Sequence, residues 1–422
     1  MNPEAADRPK RVVILVENLP VPFDRRVWQE ATTLRDHGWE VTVICPTGKG
    51  YEELRDVVAG IHVYRFRLPT EGDGALSYLA EYSTALWHTF RLALKVRRER
   101  GFDVIHACNP PDFFFLVGLF FKLFSRTRFL FDHHDIMPEL YVAKFGRRGL
   151  LWKVMVWLER ATFRTADVSI ATNESYRRIA IERGGMDPQR VFVVRSGPML
   201  ERLKMVPPKP ELKCGKRYLV GYVGVMGKQE GIDLLLLAVK HIVEVMDRHD
   251  IHVGLVGGGT SLEEMRQLAL SEGIAEYVTF TGRVPDDELL DMLNTADICV
   301  NPDVANEMND KSTMNKIMEY MALGKAIVQF DLTEGRYSAG EASLYAAKND
   351  PVDLARKIVE LLDDPDRRTR MGEFGQRRVQ NELAWNYEVP NLIRAYDAVM
   401  SSTNGIRTGR GHWLRRVKNR RR

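Results

Sequence analysis

Short apolar runs rich in β-branched residues recur along the chain, each followed by a stretch with helical spacing. The first, Arg11–Val16 (RVVILV), has the continuous apolar character of a parallel strand buried on both faces. Behind it Asp24 is placed to cap a helix carrying Val27, Ala31 and Leu34 on one side, and Gly38 closes it. Glu40–Cys45, Asp103–Ala107, Arg128–Phe131, Asp167–Ala171 and Val191–Val194 continue the strand series, with helices predicted between them at Ser77–Arg98 and Leu150–Arg164. The alternation stops at Ser196–Lys216, which holds four prolines and no sustained period and reads as a linker.

It then restarts. Strands are predicted at Tyr218–Val223, His252–Val256, Val278–Phe280, Ile298–Asn301 and Ala326–Phe330. Helices are predicted at Ile232–Met246, Leu262–Ser271, Asp286–Asn294, Asn315–Leu323 and Val352–Leu362, with a last one near Val389–Met400. Two strand–helix series of this kind imply an α/β protein of two doubly wound domains, with ligands at the carboxyl ends of the strands. The expected limits are 1–198, a linker 199–216, 217–385, a C-terminal helix 386–402 that returns to the first domain, and a tail 403–422. Phe113–Phe121 (FFFLVGLFF) is too short to span a membrane and is expected to be a buried core helix, with an acceptor groove or membrane-facing patch as the other reading.

Charge alters the picture in one place. The 422 residues carry 61 Lys and Arg against 57 Asp and Glu, a net of +4. Eight of the basic residues and no acidic one lie in 403–422, which leaves 53 against 57 in the rest. The body is therefore mildly acidic, and whole-surface nucleic-acid binding is not supported. The tail, with Trp413 and Leu414 among its cations, suits an anionic membrane surface or serves as a solubilising segment. Cys45, Cys108, Cys214 and Cys299 lack metal-site spacing and read as reduced thiols. The N-terminus does not have the pattern of a signal peptide, and a cytoplasmic protein, peripheral at the inner membrane face, is expected.

Three segments carry candidate chemistry. Val253–Thr260 (VGLVGGGT) puts glycines between a strand and a helix, where they serve either as a tight turn or as a phosphate contact. Gly221–Ile232 (GYVGVMGKQEGI) does the same after the first strand of the second domain. There Gly224 and Gly227 allow close approach and Lys228 is a candidate counter-ion for a leaving group. In Asn309–Val328 (NDKSTMNKIMEYMALGKAIV) a polar loop opens a short helix that Gly324 closes. Glu319 lies mid-helix among Ile317, Met318, Met321 and Leu323, and such a carboxylate needs partners; ligand hydroxyls would serve. The N–H groups near Met314, Asn315 and Lys316 would face an anion.

This last segment resembles the donor-site signature of retaining glycosyltransferases of family 4, which have the GT-B fold. Phe23–Ala31 (FDRRVWQEA) and Phe131–Tyr141 (FDHHDIMPELY) resemble motifs of a subgroup acting in bacterial surface-polysaccharide synthesis, and Asn173–Tyr176 and Val278–Val284 match as well. The resemblance implies two Rossmann-like domains facing a central cleft, a nucleoside diphosphate sugar held mainly by the second, and a glycan or polyprenyl-linked acceptor held mainly by the first. It assigns Glu319 to the ribose hydroxyls, the backbone at Met314–Lys316 to the diphosphate, and Arg283 and Val284 to the base. It brings His134 to the donor sugar and places Asp24, Arg25, Arg26, Asp135 and Glu139 on the acceptor side. Lys311 stands where the family has a second glutamate, while Val225 and Glu230 stand where it often has cations. Lys228 and Lys316 are the expected replacements.

No metal is expected, because the adjacent His133 and His134 would point in opposite directions on a strand end and no obvious D-x-D metal clamp stands out. No cofactor beyond the donor is expected either. With no evident carboxylate nucleophile, retention is expected by a front-face route. A nucleotide-sugar epimerase of the same fold and a non-catalytic nucleotide-binding protein remain open alternatives.

Overall fold

The computed structural model describes residues 8–68 and 75–402; the expectations for the basic tail 403–422 lie outside them. The chain divides into two compact units, one of residues up to Val194 together with those from Val389 onward, the other Arg195–Glu388.

The first unit is built on an eight-stranded sheet. Its strands are β1 (Arg11–Leu15), β2 (Glu40–Pro46), β3 (Arg55–Val58), β4 (Ile61–Phe66), β5 (Val104–Cys108), β6 (Arg128–His133), β7 (Val168–Ala171) and β8 (Val191–Val193). The order is β3-β4-β2-β1-β5-β6-β7-β8, parallel except for the antiparallel edge strand β3. The chain winds outward from β1 in one direction to β4 and in the other from β5 to β8. The strand order therefore reverses between β1 and β5, which opens a crevice at their carboxyl ends. Asp24 caps the helix Arg25–Asp36, its Oδ1 accepting from the Val27 N–H at 3.1 Å, as its position implied.

β3 and β4 are additions to the predicted series. β4 (IHVYRF) is interrupted by Arg65, which is nonetheless buried because its guanidinium donates to the carbonyls of Val21 and Glu53. A charge next to its last residue, and His62 near its start, hid the strand.

The apolar run forms the helix Phe115–Ser125, and the expectation of a buried core helix holds for half of it. Phe115, Val117, Gly118 and Phe121 are buried, and a Cβ on Gly118 would run into the Phe129 ring of β6. Leu116, Leu119, Leu123 and Phe124 are exposed.

The second unit has an all-parallel six-stranded sheet: β9 (Tyr218–Val223), β10 (Ile251–Val256), β11 (Val278–Gly282), β12 (Ile298–Asn301), β13 (Ile327–Phe330) and β14 (Ser343–Ala346). The order β11-β10-β9-β12-β13-β14 places its reversal between β9 and β12. β14 and the helices Glu307–Lys311, Thr333–Ala339 and Pro365–Arg378 add to the predicted set. The predicted linker is packed rather than loose. Leu203 is buried in the core of this unit, and Pro210–Lys213 forms a 3-10 turn. The C-terminal helix runs Trp385–Ser401.

Candidate functional site

In the second unit, the loops after β9 and β12 meet at the point of reversal. Val304 donates its N–H to the carbonyl of Gln229 at 2.9 Å, and the Asn309 amide donates to the same carbonyl at 2.8 Å. The helix Asn315–Ala322 starts here. Met314 occupies its cap position with no side chain capping it. An α-helix N-terminus presents unsatisfied N–H groups and the positive end of a dipole, so this end suits an anion.

Lys316 lies in its first turn. Its ammonium contacts Asp303 Oδ1 at 2.8 Å and Tyr222 Oη at 3.5 Å, and a Cβ on Gly224 would sit 3.5 Å from its Cε. Burial disfavours its charge, but Asp303 offsets this and holds its pKa above the ordinary lysine range. Asp303 is almost fully buried, so Lys316 is a neutralised cation rather than a bare one. Glu230 bonds the Gly227 N–H at 3.0 Å, and its carboxyl is pushed up by burial. Lys228 is exposed and has no ion pair among the described residues. With Gly227 it lines an open groove of about 680 Å³ that also includes Asp233, Ser261 and Glu264.

The Gly257–Gly259 turn serves packing. Gly257 has φ 134°, and a Cβ on it would collide with the Gly224 carbonyl. The Met226 N–H bonds the Gly258 carbonyl at 2.9 Å, and the Ser261 N–H bonds the Met226 carbonyl at 2.9 Å. Close backbone approach accounts for Gly257 and Gly259, whereas a Cβ on Gly258 would meet nothing within 4 Å.

Glu319 is half-buried on the same short helix. Its Oε1 accepts from Arg202 Nη1 at 3.0 Å, while Arg202 also grips Asp286 at 2.6 and 3.0 Å. Arg202 was invisible as a site residue because it falls in the proline-rich stretch, 117 positions from Glu319. Val284 packs on the core nearby, and Arg283 is exposed. Lys311, at the family's glutamate position, pairs with Glu307 one turn back at 2.8 Å. The adjacent Asp310 accepts from the Thr333 N–H at 3.1 Å and hydroxyl at 2.8 Å, and its carboxyl lies below the usual range.

In the first unit, the carboxyl ends of β5 and β6 carry a buried polar cluster. Arg26 Nη2 lies 3.0 Å from Asp132 Oδ1 and 3.1 Å from Glu30 Oε1, and its Nη1 donates to the Val194 carbonyl. Asp132 Oδ2 is 2.6 Å from His134 Nε2 and 3.3 Å from His106 Nε2. His106 Nδ1 meets the Tyr396 hydroxyl at 2.8 Å, 290 positions away. Burial pushes Asp132 up, but Arg26 and His134 hold it well below the usual carboxylate range; burial beside Asp132 pushes Glu30 well up. Arg26 thus stabilises one charge while the neighbouring carboxyl is biased to stay protonated. His134 is half-buried with its ring on Asp132, and its N–H is held by Asn109 Oδ1 at 2.6 Å. His133 turns the other way into Phe131, Phe163 and Tyr176, with its pKa lowered to about 3 by burial and by Arg183.

Glu30, His106, Cys108 and Asp132 offer ligand atoms within 4.8 Å of one another. Arg26 already sets a cation against both carboxylates. Asp135 is half-buried with its carboxyl pushed up by desolvation, and Arg25 is exposed. Glu139 instead belongs to an ion-pair lattice, its two oxygens accepting from Arg183 at 2.6 and 3.0 Å, with Glu159 on the same guanidinium.

Comparison with known proteins places both units in described families. Residues 24–197 match the family model described as glycosyl transferase 4-like domain, and residues 217–364 match glycosyl transferases group 1. A D-inositol 3-phosphate glycosyltransferase of Thermomonospora curvata is 28% identical over 265 residues, which is 58% of this chain and 60% of the relative's length. Sucrose-phosphate synthase from Thermosynechococcus elongatus superposes with a TM-score of 0.76 at 17% identity, covering 93% of this chain and all of that one. Anabaena HepE in complex with UDP and glucose superposes at 0.69, with 16% identity and 92% of this chain covered. Each unit carries a glycosyltransferase domain match, and the chain belongs to the glycosyltransferases of GT-B fold.

Proposed function

We propose that the chain transfers a glycosyl group, with retained anomeric configuration, from a nucleoside diphosphate sugar to a hydroxyl of a glycan or polyprenyl-linked acceptor in cell-surface polysaccharide synthesis. The observation that carries the donor half is the uncapped N-terminus of the helix Asn315–Ala322 at the sheet reversal, with Glu319 one turn on. In this reading the helix end and Lys228 stabilise the charge that grows on the departing diphosphate. Lys316, tethered by Asp303, sets the position of that first turn and adds its share of the field. Glu319 leaves Arg202 to bind the ribose hydroxyls. The leaving phosphate takes the acceptor proton, and His134, oriented by Asp132, lies against the donor sugar. Arg283 and Val284 flank the base. The tail 403–422 would hold the enzyme on an anionic membrane face. No metal ion or further cofactor has a part in this scheme.

A second acceptor reading, a small phosphorylated polyol, is favoured by the name of the Thermomonospora curvata relative. The solved neighbour holding UDP and glucose supports a uridine donor as the first to try. Incubation with a panel of UDP- and GDP-sugars, alone, with lipid extract or with inositol phosphates, reads out released nucleotide. Release that depends on lipid extract supports the proposal, and release with inositol phosphate alone moves it to the second acceptor. Isomerised donor without release would identify an epimerase, and no turnover with any donor would overturn enzymatic transfer.

A further inference from the structure

We propose that the outward face of the first unit's helices Phe115–Ser125 and Leu150–Thr165 is a docking surface for an anionic phospholipid bilayer. The inference does not rest on the transfer reaction.

The two helices pack side by side, with the Phe115 and Trp157 rings meeting edge-on at 6.4 Å. Phe90 of the helix Ala75–Glu99 meets Phe120 at 5.0 Å, so three helices join in one surface. On it stand Leu119, Leu123, Phe124, Leu150, Leu151 and Trp157. Phe124 is 75% exposed, Leu150 79% and Trp157 60%. Large apolar side chains so exposed, contiguous over neighbouring helices, mark an interaction surface rather than the scattered exposure of an ordinary exterior.

The charge around the face selects the occupant. Arg126, Lys144, Arg147, Arg148, Lys153 and Arg164 are exposed within or beside it. The four acids between Phe113 and Ala166 are Asp132, Asp135, Glu139 and Glu159, and none of them is exposed. Apolar side chains with long cations at their margin match the depth profile of a bilayer, acyl chains below and anionic headgroups above. The same charge disfavours the other occupants. A second copy meeting this face symmetrically would set cation against cation. The chain's own segment 403–422 carries eight cations and no acid, so like charge opposes its covering the face. Ser402, the last described residue, accepts from Arg128 at 3.4 Å, next to the end of the helix Phe115–Ser125.

The test is flotation of the full chain with phosphatidylcholine vesicles, with and without phosphatidylglycerol. Three full-length variants are compared with the wild type: Phe124→Ser with Trp157→Ser, Arg147→Glu with Lys153→Glu, and one with all eight tail cations changed to glutamine. The side chains replaced in the two face variants are exposed, and unchanged thermal unfolding confirms the fold of each variant. Binding should require phosphatidylglycerol. The apolar pair should reduce vesicle partition roughly tenfold, each anchor contributing part of a side-chain burial. The charge-reversal pair should reduce it comparably, and added salt should weaken it further. The tail variant should retain binding above that of the two face variants. Wild-type partition by both face variants, or complete loss with the tail variant alone, would overturn the proposal. So would a wild type that ignores phosphatidylglycerol, or a dimer that dissociates in the apolar pair.

Discussion

Replacing Lys316 by methionine removes the ammonium but keeps most of the stem that lies against Gly224 and Tyr222. Asp303, almost fully buried and 2.8 Å from the lost group, is left without its counter-ion. Breaking a buried ion pair from one side costs about 3–5 kcal/mol, most of it the penalty of the stranded charge. For a unit the size of Arg195–Glu388, about 2–4 °C accompanies each kcal/mol, so its melting temperature should fall by about 6–20 °C. Adding Asp303→Asn removes the stranded charge. The double variant should regain most of that loss, and the cycle should yield a coupling of about 3 kcal/mol. Calorimetry on the wild type, both single variants and the double variant measures it. A Lys316→Met cost under about 1 kcal/mol, or a double variant no better than the single, would refute a buried structural pair. Nucleotide release by the double variant then separates roles. Restored stability with turnover still depressed assigns the ammonium to the departing diphosphate, and full recovery of both confines it to the fold.

Glu319→Ala should weaken donor affinity about 10- to 100-fold, from the loss of charged hydrogen bonds worth about 1.5–3 kcal/mol, with calorimetric titration of the nucleotide as the check. Unchanged affinity would remove the ribose role. His133 is neutral in the fold with a pKa of about 3 against an unfolded 6.5, so the stability it contributes is present above pH 6.5 and lost as pH falls toward 3. His133→Phe, set among Phe131, Phe163 and Tyr176, should flatten the pH–stability curve between pH 6 and 4 by up to about 1.4 kcal/mol per unit relative to the wild type. Denaturant titrations at stepped pH test this, and parallel curves would contradict it. Tyr396→Phe removes the buried contact with His106 and should cost about 1 kcal/mol in the same titrations.

The elements were readable where local rules suffice. Period and β-branched runs marked most strands, Asp24 marked a helix start by its capping position, and the polar loop before Met314 placed the open helix end. These signals act within a few residues, so the chain alone determines them. β4 escaped because a buried arginine broke its pattern, and its partners Val21 and Glu53 are supplied by other parts of the chain.

What only the tertiary structure decided is which charge meets which. Arg202 reaches Glu319 across 117 positions and Tyr396 reaches His106 across 290, distances over which no periodicity carries information. Asp303 neutralises Lys316 because the sheet reverses between β9 and β12 and brings their loops together. The run FFFLVGLFF specified a helix but not its environment. With no polar residue to mark an outer face, only packing against Phe129 and the neighbouring helices could leave Leu116 and Leu119 in solvent. Sequence thus set the alternation, the caps and the family resemblance of the segment Asn309–Val328, since each depends on neighbours in the chain. The fold set the protonation of the buried groups and the exposure of the apolar face, because desolvation and ion pairing depend on everything that surrounds a group in space.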